Sequence, residues 1–101
     1  MRFLLKVNIP NDTGNAAART GTLGKTIKAI LDDQKPEAVY FTEIGGRRTV
    51  VMIVELADAS KIPMYAEPWF LTFNADIEFH PVMTPDDLKR AGLDALGKKW
   101  A

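Results

Sequence analysis

The chain has 101 residues, 13 of them basic and 13 acidic, with 47% apolar and 26% charged residues and no cysteine. That length supports one hydrophobic core and that composition is globular, which excludes two independent domains and a disordered chain. A formal net charge of zero gives no pull towards nucleic acid or anionic membranes, and the missing thiols exclude disulfides, thiolate metal sites and thiol catalysis.

The opening segment alternates. Phe3, Leu5, Val7 and Ile9 point one way and Arg2, Leu4, Lys6 and Asn8 the other, which is the period of a strand. Lys6 interrupts the first apolar run after Phe3-Leu4-Leu5, too early for a secretory leader, and no stretch approaches the ~20 apolar residues of a membrane span. A soluble, cytoplasmic protein is expected. Pro10 closes the strand, and Asn11-Asp12-Thr13-Gly14 has turn and cap chemistry. Leu23, Ile27, Ile30 and Leu31 then recur at helical spacing. Gly21 and Gly24 weaken the early part, so the reading is a helix irregular at its start, firm from Gly24 to Asp33, and stopped by Lys35-Pro36.

Two β-branched and aromatic runs follow, Ala38 to Ile44 and Thr49 to Leu56, joined through Gly45-Gly46 and Arg47-Arg48. They predict a β-hairpin turning on the glycines. Asp58 caps a second helix, which Pro68 is expected to leave short, bent or split. Asn74-Ala75-Asp76 turns the chain into a last strand, Ile77 to Val82. Thr84-Pro85-Asp86-Asp87 has the form of a capping box with proline at the first helical position. It predicts a third helix from Asp86 to about Leu96, with Leu88, Leu93 and Leu96 as docking residues.

Strand, helix, hairpin, helix, strand is the ferredoxin-like βαββαβ order of an α+β fold. Over residues 1–101 it closes as one four-stranded antiparallel sheet with two helices on one face. The second hairpin strand is apolar on both faces: Val50, Met52 and Val54 on one, Val51 and Ile53 on the other. An apolar patch on the uncovered side marks an interface or a ligand groove. A homodimer that closes two such faces together hides it; the C-terminal helix covering its own sheet is the competing reading.

The segments Phe3-Leu4-Leu5-Lys6-Val7, Gly21-x-x-Gly24-Lys25-Thr26-Ile27, Lys35-Pro36-Glu37-Ala38-x-Tyr40-Phe41, Gly45-Gly46-x-Arg48-Thr49, Ala66-Glu67-Pro68-Trp69-Phe70 and Pro81-Val82-Met83-x-Pro85-x-Asp87-Leu88 together resemble a bacterial family of small uncharacterised proteins. That family is similar to the dimeric α+β barrel superfamily. Within it, Asn8-Ile9-Pro10 and Glu78-x-x-Pro81 look distantly like muconolactone isomerases, and other members resemble cofactor-free monooxygenases and haem-degrading enzymes. The resemblance implies a fold and a dimer; one fold hosts many activities.

His80 is the only histidine. Alternation puts it opposite Ile77, Phe79 and Pro81, facing the inter-sheet cleft, where an imidazole suits general acid–base work near neutrality. The alternative is an ordinary hydrogen-bonded strand histidine. Lys6, Glu55 and Glu78 share that face with Arg2 and Asn8, either as cross-strand charge pairs or as the polar part of a small-ligand pocket. Tyr40 is a candidate to orient a ligand oxygen. Trp69 is a candidate wall and Glu67 a candidate base, with core packing of the Glu67-Pro68-Trp69-Phe70 cluster as the alternative. Arg47 and Arg48 at the hairpin are either an anion grip or solvated.

Gly24-Lys25-Thr26 imitates the end of a phosphate-binding loop, but the motif's first glycine falls on Arg19; nucleotide binding is rejected. With one histidine, no cysteine and no dense carboxylate spacing, neither a metal nor a cofactor is expected. RNA binding on the sheet needs aromatic residues on its strands, and Thr49 to Leu56 has none. The expectation is a homodimer that binds a small, largely apolar ligand in its cleft or serves as an accessory module. The enzyme alternative is a cofactor-independent isomerase or monooxygenase-like activity in the same cleft.

Overall fold

The computed structural model describes residues 1–101. The elements are β1 (Arg2–Asn8), α1 (Asn11–Arg19), α2 (Leu23–Gln34), β2 (Ala38–Ile44), β3 (Arg47–Glu55), a 3-10 turn at Ala59–Lys61, α3 (Ile62–Phe73), β4 (Asp76–Pro81), α4 (Pro85–Arg90) and α5 (Leu93–Lys99). The four strands form one sheet in the order β2-β3-β1-β4, with every neighbouring pair antiparallel. This is the ferredoxin-like α+β arrangement.

Period-two alternation decides which side chains meet the helices. Leu5 and Val7 of β1 and Val50, Met52 and Val54 of β3 point into one core with Ile30 of α2 and Tyr65, Trp69 and Phe73 of α3. The rings of Trp69 and Phe73 stack with centroids 6.2 Å apart. The hairpin turns on two residues, Gly45 (φ 63°) and Gly46 (φ 77°). Two consecutive positive φ angles match the right-handed strand twist and favour glycine. Because the turn is that tight, β3 begins at Arg47 rather than Thr49.

Arg48 points to the helix side, where its Nη1 donates to Asn15 Oδ1 at 3.0 Å. It passes directly over Gly14, where a Cβ would stand 2.8 Å from that nitrogen. Arg47 stays outside, 4.0 Å from the Asp76 carboxylate.

Three local expectations change. The first helical stretch is two helices, because Gly21 adopts φ 73° and the Thr20 hydroxyl donates back to Ala16 and Ala17 carbonyls at 3.2 and 3.1 Å. Proline 68 lies inside a continuous α3. Its ring removes the N–H that would serve the Met64 carbonyl, and Gln34 of α2 supplies the substitute: Nε2 donates to Met64 O at 3.4 Å and to Tyr65 O at 2.9 Å. The Gln34 Oε1 accepts from Trp69 Nε1 at 3.2 Å, so one buried amide secures both the interrupted helix and its tryptophan.

The third helix is also two, broken where Gly92 adopts φ 72°. The capping box at its start is present: Asp87 N donates to Thr84 Oγ1 at 3.1 Å and Thr84 N to Asp87 Oδ2 at 2.9 Å. The pair α4–α5 does not cover the sheet. It projects as an arm and stretches the chain to 58 × 28 × 20 Å, with Leu88, Leu93, Leu96 and Trp100 all exposed. The competing reading, in which the tail shelters its own sheet, does not describe this molecule. No helix is long and apolar enough to cross a membrane.

Candidate functional site

The sheet face away from α1–α3 is bare, and strand register assembles it in rows. One row runs Tyr40, Val51, Lys6, Glu78 and the next Ala38, Ile53, Leu4, His80. Within these two rows the face divides: Ala38, Val51, Ile53 and Leu4 are aliphatic, while Lys6, Glu78 and His80 on β1 and β4 are polar. Leu4, Val51 and Ile53 are half-buried even with nothing above them, and Tyr40 stands 70% exposed.

The polar half is a connected cluster. Glu78 reaches Lys6 Nζ through Oε2 at 3.0 Å and His80 Nε2 through Oε1 at 3.1 Å. Lys6 first and His80 second hold the Glu78 carboxyl below the ordinary carboxylate range, since both contacts favour its charged form. Lys6 is the most enclosed member, 30% exposed against 53% for Glu78 and 57% for His80. Its ammonium has three donors, and Glu78 is its one ion-pair partner, which leaves capacity for an oxygen arriving from above.

The ends of the face are closed by other pairs. Arg2 Nε donates to both Glu37 oxygens at 3.0 Å, which raises its hold on its proton. The Met1 ammonium contacts the Glu55 carboxylate, so Glu55 is engaged away from His80. At the opposite end Asn8 Nδ2 donates to Thr49 Oγ1 at 3.1 Å and to Ile44 O at 3.3 Å.

The structure brings together Lys6, Tyr40 and His80 on this face and separates the other two candidates from it. Trp69 is fully buried on α3, on the helix side of the sheet, and its indole N–H is satisfied by Gln34. Packing claims it, because every atom faces core. Glu67 lies on α3 as well, exposed to solvent, and has no ion pair or side-chain hydrogen bond. Neither shares a cleft with His80. What sequence reasoning undervalued is Glu78 as the bridge: it stands two residues before His80 on one strand, a spacing that puts both on one face.

The concavities of the single chain lie elsewhere. Two flank the arm, around Pro85 and Leu88. The third, about 160 Å³, is lined by Met1, Phe3, Leu56 and Ile62 at the end of the sheet, well under the ~300–1,000 Å³ of ordinary ligand sites. The bare face is open, and a cavity beside His80 needs a second surface over it.

Sequence comparison adds a family to this geometry. A family described as "Domain of unknown function (DUF3303)" matches residues 1–96, from β1 into α5. The chain belongs to the DUF3303 family. In this DUF3303 chain the match spans all four strands, and with them Lys6, Tyr40, Glu78 and His80. No curated protein matches it.

Proposed function

We propose that two copies of the chain associate through their bare sheet faces, as in the dimeric α+β barrels they resemble, and hold a small ligand in the cleft between them. The carrying observation is the division of that face: an aliphatic floor of Leu4, Val51 and Ile53 beside the Lys6–Glu78–His80 cluster. An apolar floor with a few convergent polar groups is the usual composition of a small-molecule site. The ligand class that fits is a largely apolar body carrying one acidic or carbonyl oxygen, the body on the floor and the oxygen at Lys6, with Tyr40 at the far end of the same row. A chain without cysteine suits the reducing cytosol, where this binding is placed.

The test is a thermal-shift screen with small aromatic acids on wild type and Lys6→Ala, with sedimentation to give the oligomeric state. At ten times its dissociation constant a ligand stabilises by about 1.4 kcal/mol, several degrees in a domain this small. Lys6→Ala is expected to abolish the shift for acids. A monomer at micromolar concentration, or equal shifts in both proteins, refutes the reading.

A second reading rests on the 3.1 Å contact of Glu78 with His80, which orients the imidazole as a carboxylate partner does in acid–base sites. In it the cleft belongs to a cofactor-independent isomerase or monooxygenase-like enzyme, with His80 moving a proton. His80→Ala then lowers the rate at least ~100-fold; under the binding reading the same change leaves ligand affinity nearly intact.

A further inference from the structure

The arm after β4 makes its last backbone link to the sheet at Val82, whose N–H donates to Arg2 O at 3.1 Å. Beyond it no residue is buried. Leu93 and Leu96 of α5 and Trp100, the residue that caps its C-terminus, recur at a spacing of three and four that brings them to one side, and they stand 56%, 47% and 77% exposed. Helices of 6 and 7 residues fall far below the ~12–15 residues at which a free helix becomes marginal in water. Such helices persist through packing, and their own chain offers almost none.

The surface area points the same way. The chain exposes 6854 Å², whereas a compact protein of 11.2 kDa exposes about 5,700 Å². The radius of gyration is 16.9 Å against about 13 Å for a compact chain of this length. The excess, about 1,200 Å², is more than the ~800 Å² each partner gives to a standard specific interface.

A matching surface lies at the opposite edge of the sheet. β2 is an edge strand and is apolar on both sides, with Tyr40 and Ile44 on the bare face and Phe41 on the other. Exposed apolar edges pair with whatever reaches them unless they are covered. The arm leaves from β4, the far edge, so it does not cover β2 of its own chain. When two copies face each other about a two-fold axis running along the strands, the β4 edge of one lies over the β2 edge of the other.

We infer that residues 83–101 of each copy strap the β2 edge of a second copy, with Leu96 and Trp100 against its Tyr40 and Ile44, closing the mouth of the cleft. This rests on the face-to-face dimer proposed above. It makes the ligand site composite, since the wall beside Tyr40 comes from the other chain.

The absence of native cysteines makes the test clean. Full-length Leu96→Cys and Ile44→Cys variants carrying different tags are mixed, allowed to exchange and mildly oxidised. The expected result is a disulfide-linked heterodimer in several-fold higher yield than from Leu96→Cys mixed with Ala29→Cys, a control on the exposed side of α2. A double variant that instead closes within one chain overturns the strap. Wild type sediments as a dimer in parallel. A dimer without preferential cross-linking overturns the strap and leaves the facing sheets standing; a monomer overturns both. A Leu93→Asp/Leu96→Asp chain is expected to keep the near-ultraviolet signal of buried Trp69 while its dimer dissociation constant rises at least tenfold. An unchanged constant overturns the strap.

Discussion

Gln34 lies 3% exposed between α2 and α3, and replacing it with leucine removes three hydrogen bonds from one buried point while nearly conserving volume. The Trp69 indole N–H loses its acceptor at 3.2 Å, and an unpaired buried donor costs about 1–3 kcal/mol. The Met64 carbonyl loses its side-chain donor at 3.4 Å, and Pro68 has no N–H to replace it; this carbonyl is only partly buried, so its loss adds about 0.5–1 kcal/mol. The expected sum is about 1.5–4 kcal/mol out of the ~5–15 kcal/mol available to a chain of this size. At ~4–8 °C per kcal/mol that lowers the melting temperature by roughly 6–30 °C. Urea denaturation of wild type and Gln34→Leu, followed by far-ultraviolet circular dichroism, measures it. Pro68→Ala provides the internal control. It restores the N–H facing Met64 O, so Gln34→Leu is expected to cost about 0.5–1 kcal/mol less in the Pro68→Ala background. Strict additivity, or a Gln34→Leu protein within about 0.5 kcal/mol of wild type, would refute the claim that this amide stands in for the missing backbone donor.

Other consequences are equally direct. The Glu78 carboxyl titrates below the ordinary carboxylate value, so its pairing with Lys6 contributes fully above that value and fades as pH falls through the lower, folded-state one. In carbon-detected NMR titrations Lys6→Ala is expected to move the Glu78 midpoint upward, and a fixed midpoint contradicts the assignment. Thr84→Ala removes the α4 cap, worth about 1 kcal/mol. The Asp87 carboxyl is held low first by the Thr84 backbone N–H, which the variant keeps, and second by the Thr84 hydroxyl contact, which it loses, so the carboxyl rises only part of the way back; amide exchange in the arm should quicken while the sheet is unaffected. Gly46→Ala forces a side chain into φ 77° and should cost about 1–2 kcal/mol, seen as a lower urea midpoint with an unchanged slope.

Much of this molecule follows from short-range pattern. The period of two in Phe3 to Ile9 separates a core face from a bare face before any folding is considered, and the unbroken apolar run Val50 to Val54 shows that the bare face is apolar too. Gly45-Gly46 sets the hairpin, and Thr84 with Asp87 sets the start of α4. These features depend on residues a few positions apart, whose sterics and hydrogen bonds are complete within one turn or one strand.

What the sequence left open involves partners far apart in the chain. Pro68 reads as a helix breaker until Gln34, 31 residues from Tyr65, supplies the donor from another element. Trp69 reads first as core and second as a ligand wall, and the packing of α3 turns it inward. Lys6 and Glu78 become neighbours only through the β1–β4 register, and that register is decided by which faces bury. The same holds for the arm: its leucines are plain in the sequence, but their direction is not, because a side chain's spacing sets its side of a helix while only the packed body decides whether that helix lies against it.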